Sequence, residues 1–212
     1  ELMKIGIILF LSNYYHKISS GDVNKFRYLL YPVIAMLVPF MLVLTQPDLG
    51  TAILILISGI VVTWLSGVRW RLFAYLSGLF VILAPVGISF LKPYQKSRIL
   101  TFLNPDSDPL GAGYQIIQSK IAIGSGGLFG KGFLNGSQAY LNFLPEKHTD
   151  FIFTLYSEEF GFLGSAFMVF LYFLITSRII FIGNITRSIF AKLYCYGFAT
   201  AFFIYVAVNM SM

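Results

Sequence analysis

Between Leu144 and Gly161 the chain reads LPEKHTDFIFTLYSEEFG. Four carboxylates (Glu146, Asp150, Glu158 and Glu159), Lys147 and His148 fall there within a few helical turns. Carboxylates accept protons as general bases and hold hard cations through their oxygens. The surrounding chain is of another character, 57% hydrophobic and 11% charged over its 212 residues. Acids in such a chain need a wet or paired environment, because an ionised group in hydrocarbon is costly. By residue type alone Asp150 has two uses: a functional acid, or the N-cap of a helix beginning at FIFTLY, a favoured place for Asp. Glu146, next to Pro145 and Lys147, reads as a site acid or as a solvated acid in a turn. Glu158 and Glu159 read as acids paired inside a bundle or as acids lining a cavity. His148 reads as a hydrogen-bonding scaffold residue, since the two histidines of the chain are too few to build a zinc site unaided.

The elements that must position these residues are transmembrane helices. A mean hydropathy of +0.78 with 22 Phe and 13 Tyr places the chain among integral membrane proteins. A net charge of +6 does not point to nucleic acid, because the basic residues form short clusters between apolar runs. The single cysteine, Cys195, excludes an intrachain disulfide. A spanning helix takes about 20 mostly apolar residues. The runs that fit are Leu2–Tyr15, Tyr28–Leu44, Thr51–Ser66, Leu72–Leu91, Phe162–Ile182 and Ile189–Met210, with Pro39 and Pro85 expected to kink two of them. The expected fold class is therefore all-α: a polytopic transmembrane bundle over 1–212, with a long, partly helical extracytoplasmic loop over 92–150.

Charge orients the bundle. Lys17, Lys25 and Arg27 lie in one link, Arg69 and Arg71 in a second, and Arg178, Arg187 and Lys192 flank a third. Short links rich in Lys and Arg stay cytoplasmic. The alternating links, Gln46–Gly50 and Lys92–Asp150, then face outward, and the acid-rich stretch sits at the outer membrane surface. Trp64 and Trp70 read as interface anchors, and Gln46 and Asp48 as helix caps or outer-face contacts to a substrate.

The outer segment is too long for a plain loop. Gln115–Ile123 has helical spacing of apolar residues and places Lys120 on its polar side. The glycine-rich run AIGSGGLFGKGFLNGS that follows is not a Walker loop, because Ser125 and Gly132 stand where that pattern needs Gly and Ser or Thr. It reads as a closely packed turn, or as amides lining a polyphosphate pocket. Phe151–Ile182 as a single helix would be ~48 Å long, well beyond a ~30 Å hydrocarbon core. Its first turns are therefore expected to stand outside or line a cavity, with the span starting near Gly161.

Three ordered blocks, QPDLGTA (46–52), SRILTFLNPDSDPLGAGYQIIQSKIAIGSGGLFGKG (97–132) and LPEKHTDFIFTLYSEEFGFLG (144–164), resemble the signature blocks of the SEDS family, the shape, elongation, division and sporulation proteins. Their details are more similar to the RodA branch than to the division branch. Glu1–Lys4 resembles the end of the family's Pro-Ser-Glu block, so the chain reads as a piece of a longer bundle with helices on both sides. The resemblance implies a peptidoglycan glycosyltransferase that polymerises lipid II at the outer face of the bacterial plasma membrane. It implies a class B penicillin-binding protein as partner, an elongation complex with MreC, MreD and MreB, contact with membrane lipid, and no nucleic acid. It places the family's essential acid at Asp150, as general base. Lys120, Arg98, Lys147 and Lys4 become candidates for the charge of the leaving pyrophosphate. Glu146, His148, Glu158, Glu159, Gln46 and Asp48 complete the candidate substrate contacts. A divalent cation, Mg²⁺ or Mn²⁺, is implied, with no motif to fix its ligands.

Two other classes use the same features. A lipid II flippase suits kinked helices and intramembrane acids, but a transport path needs polar residues through the whole membrane, and here the acids crowd at one end. A noncatalytic scaffold for the penicillin-binding protein has no need of a buried carboxylate beside basic groups.

Overall fold

A computed structural model of the chain describes residues 2–19, 21–46, 49–90, 112–136 and 151–211. The described residues form seven helices: α1 (Leu2–His16), α2 (Phe26–Thr45), α3 (Leu49–Leu65), α4 (Trp70–Phe90), α5 (Ala112–Ser125), α6 (Ile152–Ile185) and α7 (Ile189–Ser211). Each of the six apolar runs is a helix, and the helical spacing over Gln115–Ile123 is realised as α5. Three of the seven, α2, α6 and α7, are long and apolar enough to cross a membrane by themselves. α1 and α3 have 15 and 17 residues, and at ~1.5 Å per residue they fall short of a ~30 Å core. The protein is a multi-pass membrane protein of all-α class.

The burial pattern fits lipid as the solvent. Phe10, Val38, Met41, Leu42, Ile82 and Phe173 are exposed, whereas Ser58, Thr63, Ser157 and Glu158 are buried. Buried hydroxyls must be satisfied within the protein when no water is at hand. Ser58 Oγ donates to Leu54 O at 2.6 Å and Thr63 Oγ1 to Gly59 O at 2.8 Å, each on its own helix.

The chain divides into two compact units. The first holds residues 1–77 and 173–206. Its core is Ile7, Ile8, Leu11, Met36, Ile55, Val62 and Leu193, with α3 packed on both α1 and α2. Small residues allow the close approach, as is usual for helices in lipid: a Cβ on Gly197 would come within 2.9 Å of Ile8 Cγ2, and one on Gly59 would collide with the Met36 side chain. All three basic links lie at one end of this unit. Arg69 N donates to Asn24 Oδ1 at 2.8 Å, tying the second link to the first. A cavity of about 540 Å³ between the end of α1 and the start of α7 is lined by His16 and Ser188, which puts the third link beside them.

The second unit holds residues 78–172 and 207–212. It contains α5, the glycine-rich turn and the first half of α6.

Candidate functional site

α6 is 34 residues long and is interrupted at Gly161, whose φ of 65° and ψ of −164° are not helical. The break falls where the length of the apolar run required one. Residues 162–185 alone are ~36 Å of helix, enough to span a ~30 Å core. The nine residues from Ile152 to Phe160 form a separate segment before it.

A break in a helix orphans backbone groups, and in a dry environment each needs a new partner. A continuous helix would pair the amides of Phe162 and Leu163 with the carbonyls of Glu158 and Glu159. The glycine-rich turn takes over all four groups. Phe162 N donates to Gly127 O at 2.8 Å and Leu163 N to Leu128 O at 3.2 Å. Lys131 N donates to Glu158 O and Gly132 N to Glu159 O, both at 3.0 Å. The hydroxyl of Ser165 closes the inner side, 2.8 Å from Gly161 O and 2.9 Å from Ser157 Oγ.

So close an approach of two backbones is why glycine recurs here. A Cβ on Gly126 would overlap Ser157 O, one on Gly130 would overlap Glu159 O, and one on Gly161 would overlap Gly130 N. Gly130 and Gly161 also have φ of 80° and 65°, a region that L side chains rarely adopt. The closely packed turn is therefore the reading of the glycine run that holds. The amides of Gly126, Gly127, Gly130, Lys131, Gly132 and Asn135 are all spent on protein carbonyls and are not free to line a phosphate pocket.

The same contact buries charge. Glu158 is fully buried and Glu159 is 5% exposed. Lys131 Nζ lies 2.7 Å from Glu158 Oε1, with the lysine side chain 30% exposed and the glutamate 1%. Lys131 thus addresses Glu158 twice, through its amide and through its ammonium. Glu158 is a paired internal acid.

The other candidates fall as follows. Lys120 is exposed on α5, in the second unit. Lys4 is buried in the first turn of α1, its ammonium 4.9 Å from the centre of the Tyr205 ring, a cation–π contact. Gln46 is exposed and is the C-cap of α2, its amide donating to Val43 O. Lys4 and Gln46 both belong to the first unit. Asp150, Arg98, Glu146, Lys147, His148 and Asp48 lie outside the described residues. Phe151, one residue beyond Asp150, is buried. Among the described residues no three of His, Cys, Asp and Glu gather closely enough to hold a metal. With the Glu158 carboxylate taken up by Lys131, the described residues do not fit a divalent cation.

Lys131 is the residue that sequence reasoning passed over. It was legible only as the lysine of a failed Walker pattern, and its acid partner lies 27 residues away.

Comparison with known proteins follows the same lines. The family model for FtsW, RodA and SpoVE, described as cell cycle protein, matches residues 1–212. "Peptidoglycan glycosyltransferase MrdB" of Escherichia coli (strain K12) is 46% identical over 181 residues, covering 85% of this chain and 49% of that protein. "Probable peptidoglycan glycosyltransferase FtsW" of Buchnera aphidicola subsp. Baizongia pistaciae is 40% identical over 87% of this chain and 48% of its own. "Stage V sporulation protein E" of Bacillus subtilis (strain 168) is 35% identical over 100% of this chain and 57% of its own. The chain spans about half the length of these relatives. A solved structure described as "Structural coordination of polymerization and crosslinking by a peptidoglycan synthase complex" superposes with a TM-score of 0.74 at 29% identity, covering 98% of this chain and 56% of that one.

Proposed function

The chain belongs to the FtsW, RodA and SpoVE family of cell cycle proteins, and from that premise we propose that it is the central part of a peptidoglycan glycosyltransferase. The protein polymerises lipid II into glycan strands at the outer face of the bacterial plasma membrane during cell elongation. The observation that carries this reading is the high identity, over most of the chain, to a protein named for that activity.

The chemistry sets a clear requirement. A sugar hydroxyl, a weak nucleophile, attacks the anomeric carbon of the lipid-linked donor. The new glycosidic bond forms as the bond from that carbon to the pyrophosphate oxygen breaks. The hydroxyl proton passes to a carboxylate within hydrogen-bond reach. We assign that carboxylate to Asp150. The negative charge that develops on the departing lipid pyrophosphate calls for fixed cations, and Lys120, Arg98 and Lys147 are the proposed donors. Glu146, His148 and Glu159 are proposed to shape the substrate groove.

The proposed partner is a class B penicillin-binding protein that cross-links the strands, in keeping with a structural relative described as a complex of polymerisation and crosslinking. MreC, MreD and MreB complete the proposed elongation assembly. Conversion of labelled lipid II to glycan polymer by the purified full-length protein tests the reading.

A further inference from the structure

The outer segment of α6, Ile152–Phe160, is a nine-residue helix joined to its span through Gly161. A helix that short is not stable by itself, and a glycine linkage leaves its direction free. Four backbone bonds from the glycine-rich turn fix the break itself. They act at Glu158, Glu159, Phe162 and Leu163, all within two residues of Gly161 except Glu158, and the Ser165 hydroxyl reaches Ser157 Oγ across the break at 2.9 Å. The Lys131–Glu158 ion pair adds a charged contact to these, joining a side chain of the turn to a side chain of the segment at 2.7 Å. Buried ion pairs add little net stability over a well-packed apolar pair, so their best-attested use is to select one arrangement. Asp150 stands two residues before this segment begins and eight before Glu158.

We propose that Lys131 is a positioning residue of the glycosyl transfer: through Glu158 it fixes the register of the outer segment of α6, the helical segment that follows Asp150 in the chain. This rests on the glycosyltransferase reading. Lys131 touches neither sugar nor pyrophosphate in this scheme. It differs in that from the lysines assigned to the leaving group. A misplacement of about 1 Å in a reacting group is enough to cost roughly 10²-fold in rate, so a loosened segment is read in kcat.

The test is steady-state polymerisation of lipid II by the full-length protein and by Lys131→Met, Lys131→Arg, Glu158→Gln and the double variant Lys131→Met/Glu158→Gln. Hydrogen exchange over residues 151–160 is measured on the same samples. Lys131→Met is expected to lower kcat by about 10–100-fold with KM for lipid II within about threefold. It is also expected to speed exchange in residues 151–160 while leaving 165–185 unchanged. Lys131→Arg keeps the pair and recovers most of the rate. The double variant is no slower than Lys131→Met alone, because both changes remove one interaction. A raised KM at unchanged kcat would make Lys131 a substrate contact and overturn the proposal. So would losses that multiply in the double variant, or a kcat lowered only in proportion to unfolded protein. A wild-type protein that makes no polymer is a separate result, seen before any variant is made. It overturns the glycosyltransferase reading, and the positioning role with it.

Discussion

Asp150 can be told apart from an ordinary helix cap by one pair of substitutions. Asn nearly keeps its size and caps a helix as well as Asp, whereas Ala loses the cap at a cost of about 1 kcal/mol. Asn cannot serve as a comparable base, and loss of a general base costs roughly 10²–10⁴ in rate. Asp150→Asn is therefore expected to fold and melt like the wild type and to polymerise at least about 10²-fold more slowly. Asp150→Ala is expected to be as inactive and slightly less stable. A cap alone would give the reverse ranking, with Asn active. At this scale the sequence was legible where chemistry is local. An acid flanked by apolar helix must be paired or wet, and Glu158 is paired. Lys131 was not legible, because its partner lies 27 residues away and only the fold of the turn brings the two together. By resemblance Lys4 is a candidate for the charge of the leaving pyrophosphate. Its contact with Tyr205 joins α1 to α7, and no local pattern announces such a pairing.

Among the elements, the break in α6 and the turn that enters it form one device. Two glycines of that turn separate its parts. Gly127 and Gly130 both have positive φ, but a Cβ on Gly127 meets nothing within 4 Å, whereas one on Gly130 would overlap Glu159 O. Gly127→Ala is expected to cost about 1 kcal/mol, the price of a left-handed residue with a side chain. Gly130→Ala adds overpacking against a backbone that cannot yield, roughly 1–3 kcal/mol more. Thermal unfolding of the two variants in the same detergent checks the difference, and equal losses would mean that the turn does not enter the break. The position of the break followed from arithmetic, since a run of over 30 apolar residues is too long for one span. The turn did not, because a glycine-rich segment looks alike whether its amides face a ligand or a neighbouring backbone. α5 was readable from its period, and the helices of the first unit from their hydropathy.

Across the whole molecule, topology governs what chemistry is available. The three basic links share one end of the first unit, the arrangement that alternating charge in the sequence requires. If that end is cytoplasmic, the links between are outside. With Cys195 replaced by serine, a cysteine substituted for Ser107 is expected to react with an impermeant thiol reagent in intact spheroplasts. One substituted for Ser188 is expected to react only after the membrane is opened. The reverse pattern would put the acids on the wrong side for lipid II that has crossed the membrane. The gathering of the basic links at one end was legible from their alternation along the chain. The long segment 92–150 carries no such signal of its own, since long loops translocate largely regardless of charge. The central claim is that this family member joins sugars, and the measurement that bears on it most directly is the fate of labelled lipid II with purified full-length protein in liposomes. The expected result is a ladder of glycan polymer, with lipid pyrophosphate released and no need for a transpeptidase active site. Labelled lipid II that crosses the bilayer unchanged would show a flippase, and lipid II left intact on its own side would show a scaffold; either would contradict the account.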